Sequence, residues 1–317
     1  MSQQTLAQTR VVDPILSTQV RGYRQPGLVG ELLFPRAPVG SYGGKIITFG
    51  KESFRLYNSK RAPGSATKRI TFGYQGDPYA IVPSGLEASV PRELMRDASQ
   101  VPGIDLGGRA VNTVQRSLLL EHESASSTIA RNAANYDAAH KIALVGAARW
   151  TGTGDPSADI EVGKLAIADS IGIEPNTVVI SSSAMSALRF NAKILDRIKY
   201  TRSDSPTPEI LANLWGVEKV VVGRAVVASG AADTFGKVWG DDVILAYVSP
   251  TGGDLGANAE EPSYGYTYLI EGHPLVEQPY YDNNSKSWVY GVSYDNTPVL
   301  SGMLAGYLIQ NAGAPAA

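Results

Sequence analysis

The chain is 317 residues long with 43% hydrophobic side chains, enough to bury the core of one or two compact domains. Its 28 Lys and Arg against 30 Asp and Glu leave a net charge of −2, which excludes a strongly basic, dedicated nucleic-acid binder; the absence of Cys removes disulfides, thiolate metal sites and cysteine nucleophiles together. The opening MSQQTLAQTR lacks the apolar core of a signal peptide, and no stretch approaches the roughly 20 apolar residues of a membrane span, so a non-secreted chain with no membrane partner is expected.

Residues 1–39 mix polar positions with Pro14, Pro26, Pro35 and Pro38 and hold only short apolar pieces such as Leu32-Leu33-Phe34. Such a segment reads as an arm with little core of its own. From Lys45 the pattern turns β-rich, through Ile46-Ile47-Thr48-Phe49-Gly50 to Tyr57. After a polar tip containing Pro63-Gly64 it does so again over Lys68-Arg69-Ile70-Thr71-Phe72-Gly73-Tyr74. These runs predict a long hairpin that projects into solvent or lies on another molecule, because its alternation leaves few residues for an interior.

Residues 109–145 contain neither Gly nor Pro and place Ala110, Val111, Val114, Leu118, Ile129 and Ala133 at helical spacing. One helix of roughly 50 Å is expected at about 1.5 Å per residue, with the polar stretch 122–128 as the place where it would break or kink. Thr151-Gly-Thr-Gly-Asp-Pro156 reads as a linker into a compact α/β pattern: helices over 158–171, 183–198 and 208–215, strands over 177–180, 219–222 and 243–248. Ser181-Ser182-Ser183 offers an N-cap ahead of Ala184. Eight of the 16 Tyr follow Pro262, in Tyr264-Gly-Tyr-Thr-Tyr268, Trp288-Val-Tyr-Gly-Val-Ser-Tyr294 and their surroundings, with a hairpin turn at Asp282-Asn283-Asn284-Ser285.

Signals for catalysis are weak. Gly44-Lys45 misses both anchors of the phosphate-loop pattern, at Val39 and Ile46, and His122, His140 and His273 are scattered without a zincin's second histidine. Ser181 to Ser183 lack the glycine frame of a nucleophile elbow and read as helix caps. Asp241-Asp242 and Glu260-Glu261 read as solvated turn charges, and Asp155 and Asp159 lack calcium-loop spacing. The alternate tyrosines read as packing against a core or interface rather than as a base-stacking platform. No enzyme activity, catalytic residue, metal or cofactor is expected.

Charge placement is the strongest signal. Residues 1–75 carry 11 Lys and Arg against Asp13, Glu31 and Glu52, a net +8, whereas residues 76–317 carry −10. The cationic part is also the part without its own core, so its counter-charge is expected on another copy of the chain, a heterologous association. Arg55, Lys60, Arg61, Lys68 and Arg69 are the candidate inter-subunit contacts. A basic hairpin that is merely solvated, or that touches nucleic acid, stays open on composition alone, as does a hydrolase built on Ser181 to Ser183 or the acid pairs.

The order of arm, basic hairpin, long helix, small α/β unit and tyrosine-rich strands resembles the tailed-bacteriophage major capsid proteins of the Hong Kong 97-type coat fold. Local wording carries the likeness: Asp13-Pro14-Ile15-Leu16, Gly30-Glu31-Leu32-Leu33-Phe34-Pro35, Phe49-Gly50-Lys51-Glu52, Asp196-Arg197-Ile198-Lys199-Tyr200-Thr201, Leu214-Trp215-Gly216-Val217-Glu218-Lys219-Val220 and Glu261-Pro262-Ser263-Tyr264-Gly265-Tyr266. The resemblance implies an α+β fold: an N-terminal arm over 1–39, an extended loop (β-hairpin) over 40–82, a peripheral domain with a spine helix and long strands over 83–150 and 251–296, and an α/β axial domain over 151–250 and 297–317. It further implies self-assembly as pentamers and hexamers into the icosahedral head around double-stranded DNA bound without sequence specificity. Portal, scaffolding and cement proteins would be its other partners, and the virion, assembled in the host cytoplasm, its location. Because the chain starts with the arm, a separate scaffolding protein is expected. An encapsulin-like compartment shell is the alternative on the same fold.

Overall fold

The computed structural model describes residues 17, 27–45, 60–61, 67, 78–99, 105–199, 205–229, 234–249 and 263–316. The hairpin strands expected over 46–57 and 68–74 lie outside them. The chain enters through a single-turn helix α1 (Gly30–Leu33) and the short strands β1 (Arg36–Val39), β2 (Gly43–Lys45) and β3 (Pro78–Ala80). β2 and β3 pair antiparallel, Gly43 opposite Ala80 and Lys45 opposite Pro78, so residues 46–77 leave and return at one point. β4 (Gly85–Pro91) and helix α2 (Arg92–Ser99) follow.

The central helix α3 (Leu106–Arg131) starts at Asp105, whose carboxylate accepts from Gly108 N, and ends where Asn132 turns extended. Its 26 residues span about 39 Å, less than the expected 50 Å, because residues 133–140 form tight turns and β5 (Lys141–Ala143) follows. The break expected at 122–128 is absent. Those polar residues lie on a buried face: His122, Glu123, Ser126 and Ser127 are nearly inaccessible, and His122, Glu123 and Ser127 hold partners on other elements. Tertiary hydrogen bonds thus outweigh the weak local propensity of the stretch.

Next come helix α4 (Pro156–Ile171), capped by Asp155 and closed by Gly172 at φ +74°, and strand β6 (Thr177–Ser181). The single helix expected over 183–198 is two, α5 (Ser182–Phe190) and α6 (Ala192–Ile198). Asn191 separates them: its Oδ1 accepts from Lys193 N and Ile194 N, while its Nδ2 donates to Trp150 O. Helix α7 (Pro208–Trp215), β7 (Lys219–Gly223), the ribbon β8 (Val226–Ser229) and β9 (Thr234–Lys237), and β10 (Val243–Ala246) complete this stretch. The last part is nearly all strand: β11 (Gly265–Ile270), β12 (Leu275–Val276), β13 (Tyr280–Asp282), β14 (Ser287–Ser293), β15 (Asn296–Leu300) and β16 (Gly306–Gln310). The expected turn joins β13 to β14, with Asp282 accepting from Asn284 N and Ser285 N.

Two cores result. A mixed five-stranded sheet, β5-β16-β10-β6-β7, has β6 and β10 buried on both faces, and Val178, Val179, Ile180, Ile244, Leu245 and Leu308 are fully enclosed. Such two-sided burial fits the unbroken Val and Ile runs of these strands. In the second core, α3 lays Val111, Val114, Leu118 and Leu119 on Val276, Tyr290, Val292 and Tyr294, and β14 pairs along its whole length with β4. A third sheet, β1-β11-β15, sits beside the loop root; Tyr266 and Tyr268 are buried, but so are Gly265, Thr267 and Leu269, so β11 is enclosed on both faces where the alternation predicts one.

Candidate functional site

Of the five cationic residues singled out from sequence, Arg55, Lys68 and Arg69 lie outside the described residues, and Lys60 and Arg61 are exposed. The well-defined features are the contacts that hold the expected arm and the root of the expected loop; contrary to the reading of 1–39 as a segment with little core of its own, Val29, Leu33, Phe34 and Ala37 are buried in the cores and β1 pairs with β11.

The loop root hangs on Asp295, which is 2% exposed in the bend between β14 and β15. Its Oδ2 accepts from Tyr42 OH at 2.8 Å on the outgoing leg, and its Oδ1 accepts from Ser84 N at 2.9 Å on the returning leg. Its own backbone N donates to His273 Nδ1 at 3.1 Å. Ile81 N donates to Tyr42 O at 2.7 Å, which ties the legs to each other, and Tyr79 stacks on Tyr268 with centroids 4.5 Å apart and planes 6° from parallel. One carboxylate holds both legs.

The arm is held by two adjacent residues of α3. Glu123 Oε1 accepts from Val29 N at 2.8 Å and from Trp239 Nε1 at 2.6 Å, and Oε2 accepts from Gly30 N at 2.6 Å. Burial pushes the Glu123 carboxyl above its ordinary pKa, against the opposing pull of these donors. Gly30 is needed for this approach, since a Cβ there would sit 2.8 Å from Glu123 Oε2. Thr267 Oγ1 spends its single proton on Phe34 O at 2.9 Å, so His122 Nε2 at 2.9 Å is the donor to it. Burial lowers the His122 pKa to about 4, keeping the ring neutral. Further toward the N-terminus, Val276 N donates to buried Ser17 Oγ at 3.0 Å.

The remaining sequence candidates serve the fold. Ser181 caps α5 through Ala184 N, as the sequence predicts. Ser183 Oγ donates to Gly240 O and accepts from Lys237 Nζ. Asp242 departs from the reading as a solvated turn charge: it is buried, accepts from Arg131 Nε at 2.7 Å and from Asn311 N at 2.8 Å, and joins α3 to the end of β16. Glu260 and Glu261 lie outside the described residues. His140 bonds to Gly306 O and Ser170 Oγ. Among the described residues no three His, Asp or Glu side chains gather as a metal cluster, and no helix is long and apolar enough to cross a membrane. Glu123, His122 and Asp295 escape sequence reasoning; the one legible signal was the polar run inside the stretch 109–145, which lacks Gly and Pro.

Apolar side chains stand out on the single chain, notably Phe190 (82% exposed), Phe235 (77%) and the pair Val162 and Leu165 on α4. An open groove of about 700 Å³ runs along α3 between Val227 and Pro298. The hydroxyls of Ser117 and Thr128 in it donate to their own helix, to Thr113 O and Ser124 O, so the groove presents mainly carbon.

No family model matches the chain. The major capsid protein of Burkholderia phage BcepMu is 34% identical over 305 residues, covering 96% of this chain and 97% of that protein. The major capsid protein of Pseudomonas phage JBD67 is 24% identical over 243 residues, 74% of this chain and 77% of the relative. A crystal structure of a phage-related protein from Bordetella bronchiseptica RB50 superposes with a TM-score of 0.85 at 64% identity, covering 98% of this chain and 100% of that one. The satellite phage P4 procapsid superposes at 0.54 with 10% identity over 98% and 92% of the two chains, a likeness of fold alone.

Proposed function

The chain belongs to the phage major capsid proteins and is a coat subunit of the icosahedral head, and from that premise we propose that it assembles as pentamers and hexamers around the double-stranded DNA of a tailed phage. The observation that carries this is a likeness running from end to end, 96% of this chain against 97% of a major capsid protein. The mixed helix and sheet architecture is the Hong Kong 97-type coat fold.

In this reading residues 1–39 are the N-terminal arm and 40–82 an extended loop that lies on a neighbouring copy. Residues 83–150 with 251–296 form a peripheral domain, and 151–250 with 297–317 an axial domain. Arg55, Lys60, Arg61, Lys68 and Arg69 find acidic surface on the neighbour, which the +8 and −10 division of the chain supports. Contacts that an arm and a loop make on neighbouring copies are each weak alone and strong in sum, as a closed shell requires. A coat near neutrality holds DNA without gripping its phosphates. Portal, scaffolding and cement proteins are the expected further partners, the host cytoplasm the place of assembly, and no enzymatic role is assigned. Both relatives matched along their sequences are major capsid proteins, which favours the phage head over the compartment-shell alternative.

Electron microscopy of the expressed full-length chain, with and without a co-expressed scaffolding protein, tests the proposal. Closed particles of uniform size are expected; a subunit that stays monomeric at high concentration in both conditions would overturn it.

A further inference from the structure

We infer that Asp295 is the positioning residue for the extended loop: by holding both of its legs with one carboxylate, it sets the angle at which residues 46–77 leave the body. The inference rests on the reading of 40–82 as a loop that reaches a neighbouring copy.

Other ties at the root act on the returning leg: Thr297 Oγ1 donates to Ala80 O at 3.3 Å, and Ile81 is buried beside Tyr266 and Tyr268. β2 is exposed at all three positions, and β3 is only half-buried at its centre, Tyr79. A two-stranded ribbon with so little buried surface does not hold an orientation by itself. The stack of Tyr79 on Tyr268 constrains one face of the returning leg. The Asp295 side chain bonds both legs, Tyr42 OH through Oδ2 and Ser84 N through Oδ1. Asp295 is itself held on two sides, donating from its backbone N to His273 Nδ1 and accepting at its backbone O from Ile270 N. The anchor is therefore rigid relative to the sheet, and two bonds from a rigid point define a direction where one would leave a pivot.

The chain has no cysteine, so paired spin labels can be placed cleanly. Thr67→Cys on the loop and Asp169→Cys on exposed α4 report the loop-to-body distance in the unassembled full-length subunit. Asp295→Asn keeps one acceptor and turns an N–H₂ toward the other donor; Tyr42→Phe frees the outgoing leg alone and leaves the carboxylate bonded to Ser84 N. Both variants should broaden or shift the distance distribution, Asp295→Asn more than Tyr42→Phe, with circular dichroism unchanged and shell yield at least tenfold lower for Asp295→Asn. A distribution identical to the parent's in both variants would overturn the inference. A shifted distribution with undiminished shell yield would leave Asp295 as the loop's anchor and sink the assembly role of the loop instead. Should Asp295→Asn fail to fold, Tyr42→Phe decides: an unchanged distribution there refutes the two-leg anchor.

Discussion

Glu123 and Trp239 meet at 2.6 Å, carboxylate to indole, across 116 positions of sequence. The same carboxylate receives the backbone N–H groups of Val29 and Gly30, so the arm, the central helix and the segment after β9 converge on one buried group.

Replacing Glu123 by Gln tests that junction. Every oxygen of the carboxylate faces a donor, so an amide must point N–H₂ at one of them. A loss of about 1–3 kcal/mol is expected, the cost of a buried donor left without a partner. Chemical denaturation measures it, and limited proteolysis should show faster cleavage before residue 30. Parent-like values on both would remove Glu123 from its role.

Gly30→Ala attacks the same contact from the arm. The added methyl would lie 2.8 Å from Glu123 Oε2 and 3.0 Å from Ser126 Oγ, neither free to retreat from its buried site. About 1–3 kcal/mol of destabilisation is expected from the overpacking, read in thermal melts. A neutral effect would mean that the arm approaches α3 less closely.

His122 makes stability depend on pH. Its folded-state pKa is about 4 against an ordinary 6.5, with Glu31 raising it and Arg36 lowering it beside the dominant effect of burial. A depressed histidine contributes stability that is fully present above pH 6.5 and is lost as pH falls toward 4, because the unfolded chain then binds the extra proton. The loss should reach about 2 kcal/mol by pH 5. Glu123, raised by burial, works with the opposite sign, favouring the folded state at low pH. The comparison is therefore with His122→Gln, whose melting temperature should fall less steeply between pH 6.5 and 5; parallel curves would contradict the assignment.

Asp242→Ala removes the acceptor of Arg131 Nε and Asn311 N together. Arg131 is one-third exposed and recovers some hydration, so about 2 kcal/mol is expected rather than the larger cost of a fully buried pair. Denaturation midpoints measure it, and an unaltered midpoint would return Asp242 to the status of a solvated turn acid.

Reversing Arg61, Lys68 and Arg69 to Glu probes assembly rather than folding. Circular dichroism should be unchanged and shell yield reduced, and more so at low salt, where exposed charges act over longer distances. Equal yields from parent and variant would count against a charge-directed contact.

Much of the architecture was legible along the chain because it is written in local patterns. Pro208 and Gly216 bound α7 at both ends, and the Val and Ile runs declare β6, β7 and β10 as strands, whereas Asp155 and Pro156, read as the end of a linker, cap and open α4. Asn191 shows where local reading stops. Periodicity carries a helix through it, yet a side chain that caps the next turn and reaches Trp150 O ends one helix and starts another.

The sequence by itself determined many of the helices and strands, the uneven charge and the family likeness, since these depend on residues near one another in the chain. Only the tertiary structure decided that the polar residues at 122–128 strengthen a helix instead of breaking it, and that Asp295 and Glu123 anchor the loop and the arm. Their donors lie about 100 to 250 residues away, and a buried carboxylate is tolerable only where folding brings such donors to it.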